Sequence, residues 1–282
     1  MSTKPSQADP KKGSELPTRF VSGFVMIAVA LGAVYLSGWP FRVLAAAAAG
    51  VMILEWADMH RVSRLWRLTA AVMMAVPLIV VVEYYFRATE NNIFQIDYDL
   101  VEPTLTLFAA IAGLALIIGL LSRRISMAWG FAYIGVPSAA LVFLNWAWWQ
   151  LSLWAMIVTW ATDIFAYAAG RAIGGPKLAP RISPNKTWAG LIGGLAGAGL
   201  CGWLAAWLLE LDAAIFYWLG APMGLLAQLG DLYESSVKRR KSVKDSGTIL
   251  PGHGGVLDRL DGLLPVALVT FVVLLFLSRG TA

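Results

Sequence analysis

Charged residues and cysteine are both scarce in this chain of 282 residues. Only 14% of its residues are charged, against about a quarter in average proteins, whereas 59% are hydrophobic and the mean hydropathy is +0.68. This composition excludes a water-soluble globule and predicts an integral membrane protein. The single cysteine, Cys201, lies in an apolar run, so a disulfide framework is excluded and the thiol is predicted to serve packing.

A nucleic-acid-binding function is not indicated either, although the net charge is +5 and the isoelectric point is near 9.4. In membrane proteins, surplus Lys and Arg normally collect in cytoplasmic loops. We therefore expect membrane lipids, and no nucleic acid, among the partners.

Long apolar runs predict an all-α fold that crosses the membrane about nine times. A transmembrane helix needs about 20 apolar residues. The run over residues 20–39 is longer than the roughly 7–15-residue core of a signal peptide, so we interpret it as a retained helix. The candidate spans are residues 20–38, 41–58, 68–86, 104–121, 126–144, 150–170, 187–209, 213–235 and 255–278.

The distribution of cations predicts how these spans are oriented. With nine spans, the N-terminus and the even-numbered loops share one side of the membrane. That side carries 19 of the 22 Lys and Arg residues, and only Arg42, Arg87 and Arg279 lie opposite. Because cytoplasmic loops are enriched in Lys and Arg, we expect the N-terminus and the loop before the ninth span to be cytoplasmic.

Polarity divides the chain into three parts. Residues 1–19 are polar without an apolar period and are predicted to form a flexible, basic cytoplasmic tail. Residues 20–145 are mostly featureless apolar spans and are expected to form a scaffold. Polar residues within spans accumulate over residues 146–282, which we predict to be the catalytic bundle, with cytoplasmic loops at 171–187 and 236–255.

The sixth span carries polar residues on one face. Asp163, Tyr167 and Gly170 follow one another at i, i+4 and i+7. An ionisable residue at membrane depth is costly and usually functional, although Asp163 could instead reach interfacial water. In the next loop, Thr187 is expected to cap the seventh helix and leave its N-terminal amides for an anion. An ordinary positive-inside loop with a cap would show the same composition.

The eighth span has a polar stripe, because Gln228, Asp231 and Ser235 stand at i, i+3 and i+7. Asp258 begins the ninth span, and the intervening loop can bring it to Asp231. Two such carboxylates near the interface would bind a divalent metal once phosphates complete the coordination shell. The alternative is that Asp231 is a terminal surface charge and Asp258 a favourable anion in a first helical turn.

Residues 235–261, called the signature segment below, hold the densest concentration of charge, Gly and His in the chain. Five cations precede a Pro-Gly turn, the tripeptide His253, Gly254 and Gly255, and two aspartates. Backbone N–H groups and cations bind phosphate oxygens, while carboxylates hold Mg²⁺. The segment therefore predicts phosphoryl transfer at a membrane face. Two other readings stay open, since juxtamembrane cations also bind lipid headgroups without chemistry and the glycines could form a helix-entry turn.

The signature segment resembles the signature of phosphatidate cytidylyltransferases, also called CDP-diacylglycerol synthases. The stretches 163–190 and 228–232 are similar to the same family, so the resemblance covers residues 160–262. One position departs from it, because Ala189 stands where many members have an acidic residue. The matching signature positions are Ser235, Ser236, Val237, Lys238, Arg239, Lys244, Asp245, the run from Leu250 to Val256, Asp258, Arg259, Leu260 and Asp261.

The resemblance implies that CTP and phosphatidic acid react to CDP-diacylglycerol and pyrophosphate, a step of phospholipid biosynthesis. It also implies a homodimer of multi-helix subunits, Mg²⁺ held by Asp231 and Asp258, and room for K⁺ as a second ion. The catalytic set is then Asp231, Lys238, Arg239, Lys244, Asp245, His253, Asp258, Arg259 and Asp261. The substrate-binding set is Asp163, Tyr167, Arg171, Ser183, Lys186, Thr187, Gly254 and Gly255.

Three other functions fit parts of the pattern. A CTP-dependent lipid kinase, similar to polyprenol kinases, would release CDP instead of pyrophosphate. A transporter or channel would account for Asp163 and Asp231 inside spans but not for the cation-rich, Gly-rich loop, and a lipid-binding scaffold would not consume CTP. No Arg- and Ser-rich, acid-poor transit segment is visible, so we expect a multi-pass protein of the bacterial plasma (inner) membrane.

Overall fold

The computed structural model describes residues 15–90, 101–211, 213–250, 252 and 254–280. The predicted tail over residues 1–19 lies mostly outside this range. The helices are α1 (Glu15–Leu36), α2 (Gly38–Met59), α3 (Arg64–Glu90), α4 (Val101–Leu121), α5 (Ile125–Ala147), α6 (Trp149–Ala172), α7 (Trp188–Leu208), α8 (Gly220–Arg240), α9 (Leu257–Leu260) and α10 (Leu263–Gly280), and the strands are β1 (Lys177–Ala179) and β2 (Ser183–Thr187).

The predicted membrane character is confirmed. In the described part of the chain, six helices, α2 to α7, are long and apolar enough to cross a membrane, and shorter apolar helices cover Val21–Leu36 and Leu263–Ser278. Large apolar side chains such as Phe24, Val72 and Leu120 are exposed on the outside of the bundle. Exposed apolar surface of this extent is unfavourable in water but matches the hydrocarbon core of a bilayer.

The structure departs from the all-α expectation in the loop after α6. There, β1 and β2 form an antiparallel hairpin in which Lys177 pairs with Thr187 and Ala179 with Ser183. Two predicted boundaries also differ. Instead of covering residues 213–235, α8 begins at Gly220 and continues to Arg240, and the range 255–278 is divided between α9 and α10.

Helices from the two halves of the chain share one core. α10 packs against α5, α6 and α8, and Phe143 of α5 stacks on Phe271 of α10 with 5.6 Å between ring centroids. Both rings are fully buried, as are Trp56, Phe131 and Trp154. This packing holds α8, which carries the predicted metal ligand Asp231, and α10, which follows the short helix of Asp258, against the N-terminal helices.

A seam of small residues joins α6 to α7. A methyl group added to Gly194 would lie 3.0 Å from the Thr162 carbonyl, and one on Gly190 would lie 2.9 Å from the Ala166 carbonyl. Helices in membranes approach this closely only where small residues stand at the interface. The seam brings the polar face of α6 next to the end of the hairpin.

Candidate functional site

A polar cleft of about 570 Å³ opens between α6, the hairpin, α7 and α8. It brings together residues that the sequence separates by up to 68 positions, including Asp231, one of the two predicted metal ligands. Gly254 and Gly255 do not line it. The predicted residues that do are Asp163, Tyr167, Arg171, Ser183, Lys186, Thr187 and Asp231.

The α6 wall of this cleft confirms the predicted shared face. Asp163, Tyr167 and Gly170 all line it, because positions i, i+4 and i+7 of a helix point to one side. Arg171 donates from Nη1 to the Tyr167 hydroxyl at 2.8 Å. Both side chains are exposed, so the guanidinium is accessible to an anion in the cleft.

The hairpin brings Lys186 to α8. Its Nζ donates to Gln228 Oε1 at 2.8 Å and forms an ion pair with Asp231 Oδ2 at 2.6 Å. Ser235 Oγ donates to the other oxygen of Asp231 at 3.2 Å. The predicted polar stripe of α8 is therefore one connected network. The Asp231 side chain keeps 32% of its surface exposed and remains accessible from the cleft.

Thr187 ends the hairpin and begins α7. Its hydroxyl accepts the N–H of Gly190 at 3.0 Å, which confirms the predicted N-cap. We expect Thr187→Ala to lower the stability by about 1 kcal/mol, because one orphan N–H of α7 loses its acceptor. Thr187→Ser keeps the hydroxyl and serves as the control. Thermal unfolding in detergent measures the effect, and equal midpoints for the two variants would contradict it.

Lys238 joins α8 to the signature segment through a buried group of charges. Its Nζ lies 2.6 Å from Asp258 Oδ1 and also pairs with Glu234, one helical turn earlier. Glu234 is fully buried, and the Lys238 and Asp258 side chains are 11% and 7% exposed. Because buried charges persist only when they are paired, Lys238 holds both carboxylates. These three residues are called the Lys238 cluster below.

Asp258 also binds the backbone of the loop that precedes it. Its Oδ2 accepts the N–H of Ser246 at 2.9 Å and that of Gly255 at 2.8 Å. Burial alone would raise the pKa of Asp258, but the hydrogen bonds from Lys238 and Gly255 outweigh it, so this pKa lies below its ordinary value. The N–H of Gly255, expected to face a phosphate, donates to Asp258 here.

Asp261 lies where α8 crosses the start of α10. The backbone of Gly230 approaches the Asp261 carbonyl so closely that an added methyl group would overlap it. Burial, together with the negative charges of Asp231 and Glu234, raises the pKa of Asp261 well above its ordinary value. Asp163 adds to the same repulsion. Carboxylates that repel one another in this way favour a bound cation.

Mg²⁺ fits this arrangement only in combination with a phosphate ligand. Within the ranges described above, no three His, Cys, Asp or Glu side chains converge as a ready-made metal site. Mg²⁺ is usually held by one or two carboxylates, with substrate phosphates and waters completing its octahedron. Asp231, partly exposed and repelled by Asp261, has the required oxygen chemistry. The carboxylate of Asp258, the other predicted ligand, is bound to Lys238 in this structure.

The other predicted residues lie around these two centres. Arg239 donates to the Ile182 carbonyl at 3.2 Å and so links α8 to the turn of the hairpin. Gly254 has a φ of +85°, as its place in the glycine pair predicts, and His253 lies outside the described residues. The predicted residues of the signature segment that are exposed are Arg239, Lys244, Asp245 and Arg259.

Three residues of this region were not predicted from the sequence. Glu234 belongs to the Lys238 cluster, and Glu55 of α2 binds the loop before Asp258. Both could have been identified as candidates from the sequence, because an acidic residue within or at the end of an apolar run is usually functional. Tyr133 of α5 packs on Tyr233 with 5.0 Å between centroids, and its buried hydroxyl has no hydrogen-bond partner among the described residues. Nothing in the sequence singles it out.

Comparison with known proteins gives one family and several bacterial relatives. Residues 17–277 match the sequence model of the Cytidylyltransferase family. A segment of 120 residues is 55% identical to the phosphatidate cytidylyltransferase of Brucella abortus biovar 1 (strain 9-941) and covers 41% of this chain but only 43% of that protein. Over 158 residues the chain is 39% identical to the phosphatidate cytidylyltransferase of Rickettsia bellii (strain RML369-C), with 51% and 67% covered.

Proposed function

Because the chain belongs to the cytidylyltransferase family, we propose that it is a phosphatidate cytidylyltransferase that converts CTP and phosphatidic acid to CDP-diacylglycerol and pyrophosphate. The observation that carries this proposal is the cleft in which Asp163, Arg171, Lys186 and Asp231 meet. It offers cations for two phosphate groups and an accessible carboxylate for the metal that neutralises them. Relatives that bear this activity in their names support the choice of substrates.

The reaction exchanges one phosphoric anhydride bond for another. An oxygen of the phosphatidate attacks the α-phosphorus of CTP, and the bond from that phosphorus to the β-phosphate oxygen breaks. The electron pair leaves with pyrophosphate. Since the attacking phosphate is already ionised at neutral pH, no general base is needed, and His253 serves as an orienting donor. Positioning and charge neutralisation supply the rate enhancement.

In this proposal the carboxylates of Asp231 and Asp258 hold Mg²⁺, which supplies charge neutralisation and Lewis acidity at the phosphates when it is bound. Lys186 and Lys238 compensate the two carboxylates in the absence of substrate. When substrate binds, each of these two ammonium groups can exchange its carboxylate contact for a contact with a phosphate oxygen. Burial and the neighbouring carboxylates raise the pKa of Asp261 and favour its protonated form, so a second ion such as K⁺ would replace that proton.

The remaining cations divide between the two substrates. Lys186 and Arg171, in the cleft, receive the headgroup of phosphatidic acid, with the other predicted substrate-binding residues around them. The departing pyrophosphate is stabilised by the cations of the signature segment, and Asp245 orients those cations. The cations assigned to pyrophosphate are Lys238, Arg239, Lys244 and Arg259.

The membrane arrangement follows from the two substrates. Phosphatidic acid keeps its acyl chains in the bilayer while CTP is dissolved in the cytoplasm, so the reaction belongs at the cytoplasmic interface. We propose that α1 to α8 and α10 are the nine spans, that the N-terminus and the signature segment are cytoplasmic, and that the protein is a homodimer of the bacterial inner membrane. A lateral opening among the spans α6, α7, α8 and α10 would admit the acyl chains.

The test is nucleotide turnover by the purified chain in detergent, with and without phosphatidic acid and Mg²⁺. We expect release of pyrophosphate from CTP that requires both the lipid and the metal. Release of CDP would show a lipid kinase instead. The absence of any nucleotide turnover in a monodisperse, thermally cooperative sample would reject both enzymes and favour transport or lipid binding.

A further inference from the structure

Glu55 lies in α2, within residues 20–145, which the sequence predicts to be a scaffold. Only 3% of the residue is exposed, so its carboxylate is buried. It accepts three hydrogen bonds, all from the signature segment. Val256 N–H donates to Oε1 at 2.9 Å, Leu257 N–H to Oε2 at 2.8 Å and Ser246 Oγ to Oε2 at 3.1 Å. The donors lie about 200 residues away in the sequence, so Glu55 joins the two halves of the protein.

The helix that carries Glu55 is itself fixed in place. The next residue, Trp56, donates from Nε1 to the Ser126 carbonyl at 2.8 Å and stacks on His60 with 4.8 Å between ring centroids. Its indole lies directly over Gly130 of α5, where any side chain would overlap it. Since α2 is docked on α5 at this point, the carboxylate of Glu55 is a rigid acceptor.

The loop between Ser246 and Asp258 is bound by a carboxylate on each side. Ser246 donates its N–H to Asp258 and its hydroxyl to Glu55. Of three consecutive amides, that of Gly255 donates to Asp258 and those of Val256 and Leu257 donate to Glu55. The carboxylate of Asp258 is therefore oriented by the same backbone whose position Glu55 sets.

The backbone also fits closely around Glu55. A methyl group on Gly247 would lie 2.6 Å from Oε1, and one on Gly255 would lie 2.6 Å from Oε2. Both glycines leave room for the carboxylate to reach the amides. A carboxylate accepts at both oxygens, whereas a Gln amide of the same shape accepts at one and presents N–H₂ at the other.

We propose that Glu55 is a positioning residue that holds the loop over residues 246–257 and thereby fixes Asp258 for the reaction. The inference rests on the proposed function for its catalytic part. Its structural part, the attachment of the loop to α2, does not depend on that function. A displacement of a catalytic group by about 1 Å can lower turnover by about 10²-fold, so a role of this kind is measurable.

The test compares Glu55→Gln with Glu83→Gln in the full-length protein. Glu83 forms a buried ion pair with Arg42 at 2.7 Å, away from the signature segment, so its replacement perturbs a buried charge without touching the loop. We expect Glu55→Gln to lower kcat for pyrophosphate release by about 100-fold, with KM for CTP changed much less. We expect Glu83→Gln to lower the thermal midpoint but to keep kcat within about threefold of wild type.

Trypsin cleavage at Lys241 and Lys244 provides a readout that needs no activity. Loss of the attachment to Glu55 should accelerate cleavage there in Glu55→Gln but not in Glu83→Gln. If Glu55→Gln does not yield folded protein, Ser246→Ala replaces it, because it removes one of the three donors and should show the same changes on a smaller scale. Wild-type cleavage together with wild-type kcat in a folded Glu55→Gln or Ser246→Ala protein would overturn the proposal. A wild-type protein without pyrophosphate release would reject the function but leave the cleavage comparison valid.

Discussion

Asp231→Asn is expected to reduce pyrophosphate release by about 1000-fold or more while the protein remains as stable as wild type. The loss follows because an amide replaces an ionised oxygen at the position where charge must be neutralised in the transition state. The fold is retained because the amide oxygen still accepts from Ser235 or Lys186. Lys186 also keeps its hydrogen bond to Gln228, so the thermal midpoint should stay close to that of wild type.

The matched control for Asp231→Asn is Ser235→Ala, which removes a neutral donor to the same carboxylate. It should lower turnover by about tenfold, far less than Asp231→Asn, because a hydrogen bond to a carboxylate contributes about 1.5 kcal/mol and the ionised oxygens stay in place. The dependence on Mg²⁺ concentration should be unchanged in Ser235→Ala. Normal turnover with normal Mg²⁺ dependence in Asp231→Asn would exclude this residue as a metal ligand.

Lys238→Ala is expected to have the largest effect on stability, a loss of about 3–5 kcal/mol. The substitution removes the shared cation of the Lys238 cluster and leaves Glu234 and Asp258 as neighbouring buried carboxylates. A buried charge that loses its partner destabilises a fold by this amount, because its desolvation is no longer compensated. Reversible unfolding in mixed micelles, or the thermal midpoint in detergent, measures the loss.

A double substitution separates this charge effect from lost packing. Lys238→Met combined with Glu234→Gln keeps the side-chain volumes and removes one unpaired charge. We expect it to recover more than half of the stability lost in Lys238→Ala but none of the activity, since no cation remains for the phosphates. Equal stability of Lys238→Ala and the double variant would contradict this explanation, because the double variant has both fewer unpaired carboxylates and more packed volume.

Local patterns in the sequence were sufficient to predict the separate walls of the cleft, but not that they meet. Asp163, Tyr167 and Gly170 share a face because helical spacing dictates it, and Thr187 caps α7 because a hydroxyl before an apolar run does so in most helices. The stripe from Gln228 to Ser235 was predicted on the same basis. Each of these expectations depends only on residues within two helical turns of one another.

Other features required tertiary information. Gly174, Pro176 and Pro184 in the loop after α6 favour turns, whereas the register of the hairpin depends on contacts with α7 and α8. α8 extends to Arg240 because cations are favourable in the last turn of a helix. The contacts of Glu55 could not be predicted, since its donors are about 200 residues distant and no periodicity connects them.

The spacing along α8 has a consequence for which nucleotides can use this site. Asp231 and Lys238 are seven residues apart on one uninterrupted helix, a rise of about 10 Å. A ligand that engages both must therefore be extended for two helical turns. A triphosphate chain with its attached ribose has that reach, whereas a monophosphate does not. CTP would then be selected over CMP because its polyphosphate chain is long enough to reach from Asp231 to Lys238. This selection would need no contact with the cytosine base.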